Sequence, residues 1–155
     1  MNRIICVGNR YVAQDAAGPM VYDRLTRREL PCDVEVIDGG LAGLDLLRFL
    51  PGAERVVFVD AVFGSDQPDG VVVLDAGDAA KHADAAYDHS AGLAYLLRVL
   101  PQVCEAKMPE VLLVGVQGVP DQSTIAAAAD MSLTIAAQGH VGDSSTKVTL
   151  TGVGE

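Results

Sequence analysis

Two aspartates and one histidine of this 155-residue chain lie where their side chains can bind a divalent metal ion. Asp15 follows the first apolar run, Asp60 lies near the end of the strongest apolar run, and His89 precedes a helical pattern. Carboxylate oxygens and an imidazole nitrogen suit a divalent first-row ion, with coordination positions left for water or substrate. Taken singly, Asp15 is also explained as a turn or cap residue and His89 as an exposed helix start. A buried carboxylate such as Asp60 is less easily explained without a partner.

Other motifs exclude two common kinds of site. Gly8-Asn9 with Gly18 lacks the spacing of a dinucleotide-binding turn, and the chain has neither a lysine-containing phosphate loop nor a serine nucleophile elbow. Asp38-Gly39-Gly40 is either a turn or a glycine pair that lets an extended peptide approach the backbone. His82 and His140 lie in polar contexts typical of the surface. The sequence therefore favours neither a nucleotide cofactor nor a serine hydrolase.

Five apolar runs of strand length organise the chain. Arg55–Val62 is apolar on both faces, which is typical of the centre of a covered sheet. The connection before Gly70–Leu74 is too short for a helical crossover, so we expect that strand to pair antiparallel at a sheet edge. The predicted strands are Ile4–Val7, Val34–Ile37, Arg55–Val62, Gly70–Leu74 and Val111–Val116.

Helical spacing separates most of these runs. Gly18-Pro19 opens the first predicted helix, and Asp121–Gln138 is the last. Gly77–Asp88 is polar and alanine-rich, and we interpret it as a loop before a helix capped by Ser90. The second, third and last predicted helices each have one apolar face. These faces are formed by Leu44, Leu47 and Leu50 in the second helix, by Leu93, Leu96, Leu97 and Leu100 in the third, and by Ile125, Ala128, Ala129, Ile135 and Ala136 in the last.

This order of elements predicts a single three-layer α/β/α domain over residues 1–140, with a mostly parallel twisted sheet and one antiparallel strand. We expect residues 141–155 to form a mobile tail that includes a short strand at Lys147–Thr151. Ligands of such sheets bind beyond the carboxyl ends of the strands. Asp15, Asp60 and His89 are therefore expected to converge at that edge.

Charge and composition limit the partners. A formal net charge of −10 argues against nucleic acid and against anionic membrane surfaces. The sequence has neither a signal peptide nor an apolar run of about 18 residues, the length that spans a bilayer. Cys6, Cys32 and Cys104 are odd in number and form no paired motif, so we expect reduced, mostly buried thiols. A cytoplasmic monomer fits these features.

Five short segments add a family resemblance. They are Val7-Gly8-Asn9 with Asp15 and Gly18, Asp38-Gly39-Gly40 with Gly43, Val59-Asp60-Ala61-Val62, His89-Ser90-Ala91-Gly92-Leu93, and Val114-Gly115-Val116-Gln117. In this order they resemble the nickel–iron hydrogenase maturation endopeptidases, which remove a C-terminal peptide from the hydrogenase large subunit. The resemblance implies that Asp15, Asp60 and His89 bind metal, and that the metal is nickel already inserted in the precursor. Cadmium or zinc is expected to substitute for it in crystals.

The same resemblance implies a role in activity or substrate handling for Asp38. Our working hypothesis for catalysis leaves two routes open: the metal activates the scissile carbonyl or a bound water, or Asp15 or Asp60 acts as the general base. Several positions depart from the family pattern, which has two adjacent acids and then Gly-x-Gly in the first loop. This chain has Gln14 and Ala16 there, Leu41 where threonine is common, and Gly118 where proline is usual. These departures keep a second hypothesis open, a non-catalytic chaperone that binds the precursor or its metal. A peptidyl-tRNA hydrolase is disfavoured, because no histidine precedes His82 and the chain is acidic.

Overall fold

The protein's computed structural model describes residues 1–41, 43–62, 70–85, 91–103, 108–118 and 120–139. Within those ranges, five strands form one sheet with the order β2-β1-β3-β5-β4. Strands β1, β2, β3 and β5 are parallel to one another, and β4 pairs antiparallel with β5 at the edge. The strands are β1 (Asn2–Val7), β2 (Val34–Gly40), β3 (Arg55–Val62), β4 (Gly70–Asp75) and β5 (Glu110–Gln117).

Helices cover both faces of this sheet. One apolar cluster joins the sheet to α1 and α4, and a second joins its other face to α2, α3 and a 3-10 helix at Leu44–Phe49. A further 3-10 helix, Ala13–Asp15, precedes α1. The predicted three-layer α/β/α fold is confirmed. The α-helices are α1 (Ala17–Thr26), α2 (Ala76–Ala85), α3 (Ala91–Val103) and α4 (Gln122–Gln138).

Local sequence explains the main elements. Strand β3 is buried from Val56 to Val62, as its apolar run predicts for the middle of a covered sheet. Helix α4 begins after Asp121, whose Oδ1 accepts the Thr124 N–H at 2.8 Å, and this hydrogen bond lowers the pKa of the Asp121 carboxyl. No helix in the described ranges is long and apolar enough to cross a membrane.

The prediction of a loop at Gly77–Asp88 is wrong for its first part, because α2 occupies Ala76–Ala85. Alanine has the highest intrinsic helix propensity, and five of these ten residues are alanine. The Asp75 Oδ1 accepts the Asp78 N–H at 2.7 Å and so satisfies a free amide at the start of the helix. Residues 86–90, including the Ser90 cap, lie outside the described residues, as do His140, the predicted tail and its strand.

Three smaller predictions also need correction. The second predicted helix is a 3-10 helix that buries Leu46 and leaves Leu44 47% exposed. Strand β2 continues through Asp38-Gly39-Gly40, where we expected it to have ended. Cys32 is exposed although Cys6 is buried, and Cys104 lies outside the described residues.

Candidate active site

Asp60 is a buried carboxylate at the carboxyl end of the central strand β3. Its side chain is only 2% exposed; Oδ1 accepts the Ala61 N–H at 2.8 Å, and Oδ2 has no hydrogen-bond partner among the described residues. Burial raises the pKa of the Asp60 carboxyl well above its usual range, and the nearby charge of Asp15 raises it further, against the opposing effect of the Ala61 N–H. Asp60 is therefore a buried acid with one oxygen left to bind a proton or a cation.

Asp15 lies beside Asp60. It ends the 3-10 helix Ala13–Asp15, which contacts β3, and its side chain is 7% exposed. Its Oδ2 accepts the Asn9 N–H at 3.1 Å, and its own carbonyl oxygen accepts the same N–H at 3.0 Å. These bonds hold the first loop against the end of β1. The structure thus brings Asp15 and Asp60 together.

Two glycines allow this close approach. A Cβ atom on Gly8, whose φ is +139°, would lie 2.3 Å from the Asp15 carbonyl oxygen. A Cβ atom on Gly18 would lie 2.0 Å from the Val7 carbonyl oxygen. Both distances are far below van der Waals contact, and both involve main-chain oxygens that cannot swing away. Gly8 and Gly18 therefore let the first loop and the start of α1 pack directly on the end of β1.

The departures in the first loop do not disturb this arrangement. Gln14, at the position of the family's first acid, is exposed, whereas Asp15 is buried. Ala16 has φ −93° and ψ −3°, a conformation open to alanine as well as glycine.

Gly118 has φ +75°, which proline cannot adopt, so the chain leaves β5 differently from a family member with proline there.

Asp38 lies apart from the buried carboxylates. It is exposed, its Oδ1 accepts the Gly40 N–H at 3.2 Å, and its Oδ2 is 3.8 Å from Arg10 Nη2. Side chains two positions apart on a strand share a sheet face. Asp38 therefore lies on the face of Val36, which packs on the α1 and α4 side. Asp60 lies on the face of Phe58, which packs on the opposite side. A role for Asp38 in activity stays a prediction.

His89 lies outside the described residues. Helix α3 begins at Ala91, two positions further along the chain, and packs on the sheet face to which Asp60 belongs. Among the described residues no group of three histidine, cysteine, aspartate or glutamate side chains is placed to hold a metal ion. Asp15 and Asp60 place two carboxylates side by side, and the whole predicted ligand set of Asp15, Asp60 and His89 stays a prediction. A carboxylate pair with an unpaired oxygen suits a divalent cation that brings further ligands of its own.

Gln117 is a buried polar residue near the carboxyl end of β5, and the sequence does not single it out as a site candidate. It ends β5, its side chain is 3% exposed, and neither Oε1 nor Nε2 has a hydrogen-bond partner among the described residues. A glutamine that follows an apolar run resembles the polar end of a strand. What distinguishes Gln117 is the burial of its side chain, and this burial cannot be read from the sequence.

The raised pKa of Asp60 predicts a pH dependence of stability. Between the unfolded pKa and the higher folded pKa, the folded state binds more protons than the unfolded state. The free energy of unfolding therefore loses a contribution as pH rises from about 4 through the folded pKa. In Asp60→Asn that loss is absent, so the stability of this variant relative to wild type should increase with pH.

Urea denaturation of both proteins from about pH 4 to about pH 8, without added metal, measures this difference. Asp130→Asn is the matched control, since it removes one carboxylate that lies on the far side of the sheet and pairs with Arg28 at the surface. Parallel pH profiles of stability for wild type and Asp60→Asn would contradict this prediction, because they would show that the pKa of Asp60 is the same in the folded and unfolded states.

Comparison with known proteins assigns the family. The family model described as "Hydrogenase maturation protease" matches residues 19–143, a range that includes Asp60 and His89 and begins just after Asp15. The chain belongs to the hydrogenase maturation protease family. The resemblance inferred from the five segments is thus confirmed, and a peptidase is the enzyme class of this family.

Individual relatives of the family agree. The chain is 29% identical over 100 residues to the hydrogenase 2 maturation protease of Escherichia coli, a match that covers 63% of this chain and 61% of that protein. It is 30% identical over 118 residues, 74% of each chain, to a protein of Methanocaldococcus jannaschii provisionally assigned as a hydrogenase maturation protease. The fold matches the structure of the E. coli hydrogenase maturating endopeptidase HybD with a TM-score of 0.70 and 26% identity, over 96% of this chain and 98% of that one.

Proposed function

We propose that this protein is an endopeptidase that removes the C-terminal peptide of a nickel–iron hydrogenase large-subunit precursor. In this proposal the nickel belongs to the substrate, and Asp15, Asp60 and His89 bind it. Membership of the protease family supports the reaction class. The observation that carries the proposal is Asp60, a buried carboxylate that has an unpaired oxygen and the charge of Asp15 nearby.

The electrostatics of the carboxylate pair support recognition of a cation. The Asp60 carboxyl ionises only at a cost, because its charge is poorly solvated and the nearby charge of Asp15 repels it. A divalent ion that arrives with the precursor removes both penalties at once. Precursor that carries nickel should therefore bind more tightly than precursor without it.

Two chemical routes to peptide hydrolysis fit the site. In the first, the bound ion polarises the scissile carbonyl or lowers the pKa of a bound water. In the second, the ion positions the tail, and Asp15 or Asp60 acts as the general base. The base takes a proton from water, the hydroxide adds to the scissile carbonyl, and the C–N bond then breaks as the leaving amine gains a proton. The raised pKa of Asp60 makes its carboxylate a stronger base than an ordinary aspartate.

The edge of the sheet beside the site offers apolar contacts for a peptide. Tyr11, in the loop after β1, is 91% exposed, and Leu41, directly after β2, is 70% exposed. The two loops are joined by a hydrogen bond of 2.9 Å from the Gly8 N–H to the Gly40 carbonyl oxygen. An extended precursor tail that crosses these loops would cover exposed apolar surface, which favours binding.

Incubation of the purified protein with large-subunit precursor, with and without inserted nickel, tests the proposed function. We expect shortening of the nickel-containing precursor, seen as a mobility change on a gel and as a new C-terminus by mass spectrometry. Precursor without nickel should stay intact. A complex that forms without any shortening would contradict proteolysis and favour the chaperone hypothesis.

The same preparation tests the monomeric state predicted from the sequence, by light scattering. Fractionation of cells that produce the protein tests the predicted cytoplasmic location. A dimer would contradict the first of these predictions, and recovery with the membrane fraction would contradict the second.

A further inference from the structure

We propose that Gln117 is a positioning residue for Asp60. When one oxygen of the Asp60 carboxylate engages the precursor's metal, the Gln117 Nε2–H donates a hydrogen bond to the other oxygen. This inference rests on the proposed function, because it assigns a role beside the same carboxylate.

The strand register places the two side chains on one face of the sheet. Asp60 on β3 pairs with Gly115 on β5, and Val62 pairs with Gln117. Side chains two positions apart on a strand point to the same face. Phe58 on β3 and Leu113 on β5 both belong to the cluster beneath α2 and α3, so Asp60 and Gln117 share that face. Gln117 is thus the diagonal neighbour of Asp60 on the adjacent strand.

The distance between diagonal positions suits a glutamine. Adjacent strands lie about 4.8 Å apart and a parallel strand rises about 3.3 Å per residue, so the Cα atoms of these diagonal neighbours are about 8 Å apart. An aspartate and a glutamine side chain together can bridge that distance. Gly115, the residue paired with Asp60, has no side chain, and the nearest atoms to its Cβ position are methyl carbons of Val62. Neither Gly115 nor Val62 offers a side-chain hydrogen bond to the carboxamide or to the carboxylate.

The unpaired polar atoms match each other chemically. Among the buried side-chain atoms of the described residues, Gln117 Nε2 is the unpaired nitrogen, and it shares a sheet face with the Asp60 carboxylate. Asp60 Oδ1 accepts the Ala61 N–H and has a second lone pair for another donor, which leaves Oδ2 for the metal. Buried polar groups nearly always have a partner, and exceptions call for an explanation. The proposed role explains the unpaired amide of Gln117, because a hydrogen bond from a neighbouring donor fixes the orientation of a metal-binding carboxylate.

Gln117→Met tests this role, because methionine has a similar length but cannot donate a hydrogen bond. We expect kcat for cleavage of the nickel-containing precursor to fall about 10- to 100-fold, with little change in KM. The melting temperature should stay the same or rise, because the substitution removes a buried amide that has no partner in the free protein. A glutamine with a merely structural role would give the opposite pattern, with a lower melting temperature and an unchanged kcat for the folded fraction.

Asn2→Leu is the matched control. Asn2 is also buried and has an unpaired Oδ1, but it lies at the start of β1, the opposite end of the parallel strands from Asp60. Cleavage by this variant should match wild type. Wild-type kcat in Gln117→Met, with Asp60→Ala inactive, would overturn the role of Gln117 and leave the proposed function standing. Full activity of Asp60→Ala would overturn both.

Discussion

Asp60→Ala is expected to lose cleavage of the nickel-containing precursor by about 100- to 10,000-fold, which a gel assay records as absence of product. The substitution removes the buried carboxylate whose free oxygen we assign to the metal, and also a candidate for the general base. Asp60→Asn keeps the shape of the side chain and removes its charge. We expect it to be similarly inactive and at least as stable as wild type near neutral pH, because no buried charge then needs solvation.

A carboxylate elsewhere controls for the loss of charge. Asp130→Ala removes an acid on α4 that is 68% exposed and pairs with Arg28, so precursor cleavage should be unchanged and stability lowered by about 1 kcal/mol or less. Single-turnover cleavage at equal protein concentration compares the variants. Normal processing by Asp60→Ala would remove Asp60 from the site.

Gly18→Ala is expected to destabilise the fold by more than about 4 kcal/mol, an exceptional effect for one methyl group. The added Cβ would lie 2.0 Å from the Val7 carbonyl oxygen and within 2.8 Å of two further main-chain atoms of Val7. Relief requires α1 to move away from the end of β1, which also displaces Asp15, three residues earlier in the chain. Precursor cleavage should therefore fall even in the fraction that remains folded.

Gly77→Ala provides the comparison for this change. Gly77 lies in the first turn of α2, where the contact that a Cβ would make with the described residues is the Asp75 Oδ1, at an ordinary distance of 3.5 Å. Alanine is favoured over glycine in helices, so this variant should be as stable as wild type or more stable, by up to about 1 kcal/mol. Urea denaturation measures both variants. Equal stability of Gly18→Ala and wild type would show that α1 does not pack on β1 as described.

Local patterns predicted most of the fold. The apolar run of β3 indicates a central strand, and the short connection before β4 indicates an antiparallel edge strand. The partner of β4 is β5, which lies far along the chain, and nothing in a local pattern identifies it. The polar, alanine-rich sequence of α2 lacks a long apolar stripe, so periodicity does not predict a helix there, whereas its alanine content favours one.

The sequence indicates a candidate site residue where a charged side chain interrupts an apolar run. Asp60 lies within an apolar run, so its burial and its need for a partner follow from the sequence. The separation of Asp38 from Asp60 depends on which sheet face each strand position occupies, and this requires the register between strands. Gln117 is recognised as a candidate only from the structure, which shows that both its side-chain polar atoms are buried without a partner among the described residues.

The central claim is that Asp15, Asp60 and His89 bind one divalent ion. Anomalous diffraction from crystals of the protein soaked with cadmium, as a stand-in for the precursor's nickel, tests it most directly. We predict one strong peak at the carboxyl end of β3, within bonding distance of a carboxylate oxygen of Asp15, one of Asp60 and a ring nitrogen of His89. A peak that lacks Asp60 as a ligand, or a His89 ring too distant to share the ion, would contradict the account.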